Sequence, residues 1–77
     1  MEQHLEFILA KAKEIFKRED LSPVTRFNED LNAKSLIIAQ LMNAIEEEYD
    51  IEVPYMDFKR CETIAEAAGY IKRLNEE

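Results

Sequence analysis

Ser35 is the residue best placed for chemistry in this sequence, because it opens a predicted helix. The first turn of a helix has unpaired backbone N–H groups and the positive end of the helix dipole, which stabilise an anion by about 0.3–1 kcal/mol. A phosphodiester on the Ser35 hydroxyl would therefore be well placed. On local sequence alone, the simpler interpretation is that Ser35, or Asn32 in another register, only caps the helix.

Nothing else in the sequence completes a catalytic or metal site around this serine. A serine nucleophile needs a neighbouring base, and the only histidine, His4, lies at the start of the first predicted helix. Asn28, Asp30 and Asn32 alternate as in a calcium loop, but the central glycine and the final glutamate of such a loop are missing. We therefore expect no catalytic residue, no metal site and no enzyme activity, so any reaction at Ser35 needs an outside enzyme.

Charge and cysteine content indicate where the protein works. The 77 residues have a formal net charge of −7 and one cysteine, Cys61, which cannot form an internal disulfide and which we expect to be half-buried without a special role. Charges spread over residues 1–21 argue against a signal peptide or a membrane span. Negative charge favours basic protein surfaces over nucleic acid. The sequence thus predicts one cytoplasmic domain, residues 1–77, with no nucleic-acid partner and no membrane insertion.

The first helix is predicted from apolar residues at spacings of three and four, and it runs from Glu2 to Arg18. It ends near Asp20, where Ser22 and Pro23 begin either a new helix or a turn. A long, mostly irregular connection follows, and its apolar residues are expected to anchor it over the core. These apolar residues are Val24, Phe27 and Leu31.

The second helix is predicted at Ser35–Tyr49, with a strong apolar stripe. Residues 51–54 alternate and end in proline, which favours a short extended segment. A short third helix is predicted at Tyr55–Arg60, and we expect Met56 and Phe58 to contact the core.

The last helix is predicted to begin at a capping box formed by Thr63 and Glu66, and Gly69 within it would permit close packing. The elements together predict an all-α fold, a small four-helix bundle of three long helices and one short one, with a long first connection. The predicted core consists of Leu5, Ile8, Leu9, Ile15, Phe16, Phe27, Leu31, Leu36, Leu41, Ile45, Val53, Ile64, Ala67 and Ile71.

Three segments of the sequence resemble the acyl carrier protein family. Residues 27–36, FNEDLNAKSL, resemble the segment around the modified serine of that family. Residues 44–54, AIEEEYDIEVP, resemble the end and exit of the helix that follows, and residues 63–64 resemble the start of the family's last helix. The three matches keep an ungapped register with Ser35 and cover nearly the whole chain.

The resemblance implies that a phosphopantetheinyl transferase attaches 4'-phosphopantetheine to Ser35, at an exposed junction of loop and helix, and that acyl groups then form thioesters with its terminal thiol. The protein would be a monomer that presents its cargo to acyl-loading and acyl-processing enzymes with basic docking patches, at a high effective concentration. Glu46 and Glu47 would contact those patches. The alternative for these acidic residues is an ordinary solvated helix end.

The sequence departs from the family pattern at this docking face. Lys34 stands where the family usually has an aspartate that takes part in the approach of the transferase, and Ile37 and Gln40 replace residues that are often acidic. We therefore predict a specialised carrier for a dedicated fatty acid, polyketide or related pathway. The alternatives are an aminoacyl or peptidyl carrier and an interaction module of the same fold that has lost its arm. The predicted partner-binding residues are Lys34, Leu36, Gln40, Glu46 and Glu47.

Overall fold

The computed structural model of the protein describes residues 3–32 and 34–76, and for Ser35 the backbone alone. Within these residues the chain forms helices and no strand, and one isolated bridge joins Arg26 to Thr63. The helices are α1 (Gln3–Phe16), α2 (Ser35–Tyr49), α3 (Tyr55–Lys59) and α4 (Ile64–Glu76). Helix α1 packs against α2 and α4, and α3 packs against α2. The predicted all-α fold of three long helices and one short one is confirmed.

Helix α1 ends earlier than predicted, and Glu2, its predicted first residue, lies outside the described residues. The chain leaves the helix at Lys17, whose φ of 58° lies in the left-handed region. The Arg18 N–H then donates to the Lys13 carbonyl at 3.1 Å, which satisfies a carbonyl of the last helical turn. The predicted end near Asp20 is therefore wrong, because this backbone arrangement closes the helix before Lys17.

One apolar core joins all the helices of the described chain. Its buried members are Ile8, Leu9, Ala12, Leu21, Phe27, Ile38, Leu41, Met42, Ile45, Val53, Phe58, Ile64, Ala67, Ala68 and Ile71. Four further predicted core residues, Leu5, Ile15, Phe16 and Leu31, are partly buried and pack against it. Every predicted core residue except Leu36 is thus confirmed as buried or packed against the core. None of the described helices has both the length and the apolar character that a membrane crossing needs.

Among the side chains that the structure describes, three large apolar ones are exposed, against prediction. Leu36 is 72% exposed, because at 3.6 residues per turn it lies about 180° around α2 from the fully buried Ile45. Met56 is 64% exposed for a similar reason, since Phe58 occupies the inward face of the short α3. Val24 in the first connection is 75% exposed. The expectations that Leu36 and Met56 contact the core and that Val24 anchors its loop are therefore wrong.

The long first connection is anchored, as predicted, by Phe27 and Leu31 at the core, and it also forms backbone hydrogen bonds to the start of α4 that were not predicted. In the region where α4 begins, the Ala65 N–H donates to the Pro23 carbonyl at 2.9 Å, and the Ile64 N–H donates to the Thr25 carbonyl at 3.1 Å. The Phe27 N–H donates to the Glu62 carbonyl at 2.9 Å. The Thr25 N–H donates to the Ser22 carbonyl at 3.0 Å, so the segment after Asp20 forms a turn and not a helix.

The start of α4 shows half of the predicted capping box. The Glu66 N–H donates to the Thr63 hydroxyl at 3.1 Å, as expected for a capping residue. The Glu66 carboxylate lies 3.4 Å from that same hydroxyl and does not reach back to the backbone. Apart from its chain neighbours and the nearby backbone of α4, no atom lies within 4 Å of the position that a Cβ of Gly69 would occupy, so the predicted close packing there is wrong.

Candidate functional site

Ser35 is the first residue of α2, as predicted, and the residue before it sets the geometry of the helix start. Lys34 occupies the N-cap position in an extended conformation (φ −90°, ψ 160°), and its carbonyl accepts a helical hydrogen bond from the Ile38 N–H at 3.0 Å. The N-cap position thus belongs to Lys34 and not to Ser35 or Asn32. The predicted exposure of the Ser35 hydroxyl concerns a side chain outside the described part of the chain.

The start of α2 presents positive charge and hydrogen-bond donors. The Lys34 side chain is exposed and makes no capping hydrogen bond. Helix α2 has no acidic residue in its first turn, so no carboxylate there offsets the positive end of the helix dipole. The backbone N–H groups of that turn have no carbonyl acceptor within the helix. This donor set suits an anionic group such as a phosphodiester.

The segment that leads to this helix start is fixed to the rest of the bundle. The Arg26 N–H donates to the Asp30 carboxylate at 2.9 Å, and the Asp30 N–H donates back to the Arg26 carbonyl at 3.1 Å. Phe27 is buried, with its ring centre 6.3 Å from that of Phe58 in α3. The core and α3 therefore hold the turn that precedes α2.

Four of the five predicted partner-binding residues are exposed along α2. Leu36, Gln40 and Glu47 are exposed at spacings of four and seven, which places them on one outward face of the helix. Lys34 is exposed at its beginning. This outward face is therefore apolar and neutral along its first half and acidic towards its end, and the exposed Lys34 adds a basic residue just before the helix.

Glu46, the fifth predicted partner residue, is half-buried and has structural contacts. Its carboxylate accepts a hydrogen bond from the Val53 N–H at 2.8 Å. Its carbonyl accepts from the N–H of Asp50, which has a φ of 53°, and from that of Ile51 at 3.3 Å. Glu46 thus connects the end of α2 to the extended segment after it. The sequence did not predict this role, because no common helix-capping or turn motif pairs a side chain with a backbone N–H seven residues later.

Two further side chains could be reactive, and these are His4 and Cys61. His4 stacks on Tyr49 with ring centres 4.8 Å apart, and Tyr49 ends α2, roughly 21 Å from Ser35 at 1.5 Å per residue. Cys61 is half-buried, as expected, and lines an open groove of about 530 Å³ between α3 and α4. Burial raises the pKa of its thiol, which leaves less of the reactive thiolate. Within the described residues, no cluster of three or more His, Cys, Asp or Glu could hold a metal ion.

Comparison with protein families agrees with the geometry at the start of α2. A family model described as "Phosphopantetheine attachment site" matches residues 6–71, from within α1 to within α4, and the match includes Ser35. The family relationship predicted from residues 27–36 and 44–54 is thereby confirmed. The donors at the start of α2 fit the phosphate of this cofactor. The protein therefore belongs to the phosphopantetheine attachment family, whose domains hold 4'-phosphopantetheine covalently.

Proposed function

We propose that the protein is an acyl carrier protein with its phosphopantetheine arm on Ser35, serving a dedicated fatty acid, polyketide or related biosynthetic pathway. The observation that supports this most is that α2 begins at Ser35, inside the segment that matches the family. Ser22 is the only other serine of the sequence, and it lies in the turn before α2 with its N–H bonded to the Thr25 hydroxyl at 2.8 Å. Ser35 is thus the one serine at a helix start.

The arm, when bound, supplies a terminal thiol that holds an acyl group as a thioester. The chain's own contribution would be to fix the attachment point. The anchored first connection leads to the start of α2, where Lys34 and the first-turn N–H groups would offer positive charge and donors to a phosphate on Ser35. The sequence has one histidine, His4, and it stacks on Tyr49 at the far end of α2, roughly 21 Å along the helix from Ser35, so it is not placed to activate the serine. The transferase must therefore supply that base.

The exposed face of α2 supports a specialised set of partners. Glu47 offers negative charge to basic docking patches, whereas Leu36 and Gln40 offer apolar and neutral contacts nearer the arm. Lys34 would repel a partner whose surface is basic up to the attachment point, so this chain selects against such partners. A partner with basic residues near Glu47 and an uncharged or acidic surface near Lys34 fits best.

Intact-mass measurement tests the attachment site directly. After incubation with a broad-specificity phosphopantetheinyl transferase and coenzyme A, we expect one arm on the wild-type protein, one on Ser22→Ala and none on Ser35→Ala. Ser22→Ala is the matched control, because it removes the other serine. An unmodified wild-type protein, both in vitro and from its native cell, would instead indicate an interaction module without an arm.

Charge reversal tests the docking face. Glu47→Lys should slow association with the transferase by on the order of 3- to 10-fold at low salt, because long-range attraction raises encounter rates. Glu6→Lys makes the same charge change at an exposed position of α1 and serves as control. Stopped-flow association rates measure both variants. Equal rates for the two variants would contradict a docking role for Glu47.

A further inference from the structure

Lys34 is an unusual residue for the place it occupies. It stands at the N-cap of α2 with an exposed side chain that makes no capping hydrogen bond. N-cap positions favour Ser, Thr, Asp and Asn, whose oxygens accept from the first N–H groups of the helix. A positive charge at a helix N-terminus is also disfavoured by the dipole. Local stability therefore gives no reason for a lysine here.

The surroundings of Lys34 do not supply that reason either. In the ranges 3–32 and 34–76, the ion pairs are Lys11 with Glu14, Arg18 with Asp20, Arg26 with Glu29, and Arg60 with Asp57. None of these pairs involves Lys34, and α2 has no acidic residue in its first turn. Within the described residues, no carboxylate thus forms an ion pair with Lys34, whose charge adds to the positive end of the α2 dipole.

We propose that Lys34 is a positioning residue for the arm: its ammonium pairs with the phosphate of phosphopantetheine on the adjacent Ser35. This inference rests on the proposed function of Ser35. The phosphodiester brings one negative charge to the place where the ammonium, the dipole and the first-turn N–H groups of α2 all favour an anion. Attachment of the arm thereby completes the cap of α2, and the loaded protein is more stable than the unloaded one.

Unfolding temperatures of unloaded and loaded protein test the pairing, with loading verified by intact mass for every sample. At about 0.01 M salt, loading should raise the Tm of the wild-type protein by on the order of 2–6 °C. In Lys34→Gln, loading should raise the Tm by at most about half as much, whereas in Lys34→Arg the full rise should remain. About 1 M salt should suppress the rise in the wild-type protein. Lys72→Gln, which neutralises an exposed lysine in α4, is the control and should keep the full increment.

Lys34→Asp provides the sharpest contrast. It supplies a favoured N-cap residue and a negative charge, so the unloaded variant should melt above the unloaded wild-type protein. Loading should then lower its Tm or leave it unchanged, because the new carboxylate and the phosphate repel each other. Complete loading with equal increments in wild type, Lys34→Gln and Lys34→Asp would overturn the pairing and leave the proposed function intact. A wild-type protein that never accepts the arm would overturn both.

Discussion

The two helices α2 and α4 begin in opposite ways. At α4 the N–H groups of Ile64 and Ala65 donate to carbonyls of the first connection, and the next N–H donates to the Thr63 hydroxyl at 3.1 Å. At α2 the preceding residue, Lys34, provides no side-chain acceptor. The start of α4 therefore has backbone acceptors from the first connection and a side-chain cap, whereas the residue before α2 supplies no side-chain cap.

The two helix starts therefore contribute differently to the stability of the fold. Each hydrogen bond at the start of α4 contributes a net of about 0.5–1.5 kcal/mol, a large share for a domain of this size. The start of α2 lacks the side-chain cap that Thr63 gives to α4. Residues needed at a functional site often reduce stability, and the rest of the fold offsets the loss.

The largest expected difference between the two helix starts lies in their first apolar side chains. Ile64 is fully buried, whereas Leu36 is 72% exposed. Ile64→Ala should lower the free energy of unfolding by about 2–5 kcal/mol through lost burial and a cavity. Leu36→Ala should change it by less than about 0.5 kcal/mol. Urea titration measures the free energy of unfolding of both variants. If Ile64→Ala does not fold, Ile64→Val replaces it in the comparison, with an expected loss of about 0.5–1.5 kcal/mol. Similar losses for Ile64→Ala and Leu36→Ala would contradict the contrast.

The capping residues should differ next. Thr63→Ala removes the acceptor of the Glu66 N–H and should cost about 1 kcal/mol of unfolding free energy. Lys34→Ala changes the equivalent position of α2, where no side-chain bond is lost, and should stay within about 0.5 kcal/mol of the unloaded wild-type protein. Urea unfolding at neutral pH compares the two. If Lys34→Ala lowered the free energy of unfolding as much as Thr63→Ala, the Lys34 side chain would stabilise the start of α2, which would contradict this contrast.

The interior of α4 is less well adapted than its start. Gly69 is exposed, and the space around its absent Cβ is open, so Gly69→Ala should raise the free energy of unfolding by about 0.5–1 kcal/mol through helix propensity. Ala10→Gly, the reverse change at an exposed position inside α1, should lower it by a similar amount. Thermal unfolding measures both variants. If Gly69→Ala destabilised the protein, the space around the Gly69 Cβ position would not be open.

The sequence could predict those features that depend on local pattern. The bounds of α2 follow from an apolar stripe, a serine at the start and an extended segment at the end, and they are confirmed at Ser35 and Tyr49. The Thr63 cap has a short-range signature as well. The exposure of Leu36 was mispredicted because the apolar run at the start of α2 is wider than the face that α1 and α3 cover.

Features set by tertiary contacts were beyond local pattern. The carbonyls of Pro23 and Thr25 meet the start of α4 only after the first connection has folded across the bundle. The carboxylate of Glu46 finds the Val53 N–H through the turn that ends α2, so its acidic character alone pointed to a partner surface. At the candidate site, the sequence predicted that α2 begins at Ser35, and the structure added that Lys34 stands at its N-cap without a side-chain cap hydrogen bond.

The smallest expected effect is an acid sensitivity of the connection that caps α4. A hydrogen bond from Arg18 lowers the pKa of the exposed Asp20 carboxyl, and Arg18 also donates to the Asp30 carbonyl at 3.3 Å. Since the folded-state pKa lies below the unfolded one, the pair contributes stability above the ordinary carboxyl range of about pH 4, and this contribution disappears as the pH falls through the lowered pKa. The difference in unfolding free energy between wild type and Asp20→Asn should therefore be constant above about pH 5 and shrink on acidification. In an Arg18→Gln background the same comparison should show no shrinkage, and a shrinkage that persists there would assign the acid sensitivity to another partner of Asp20.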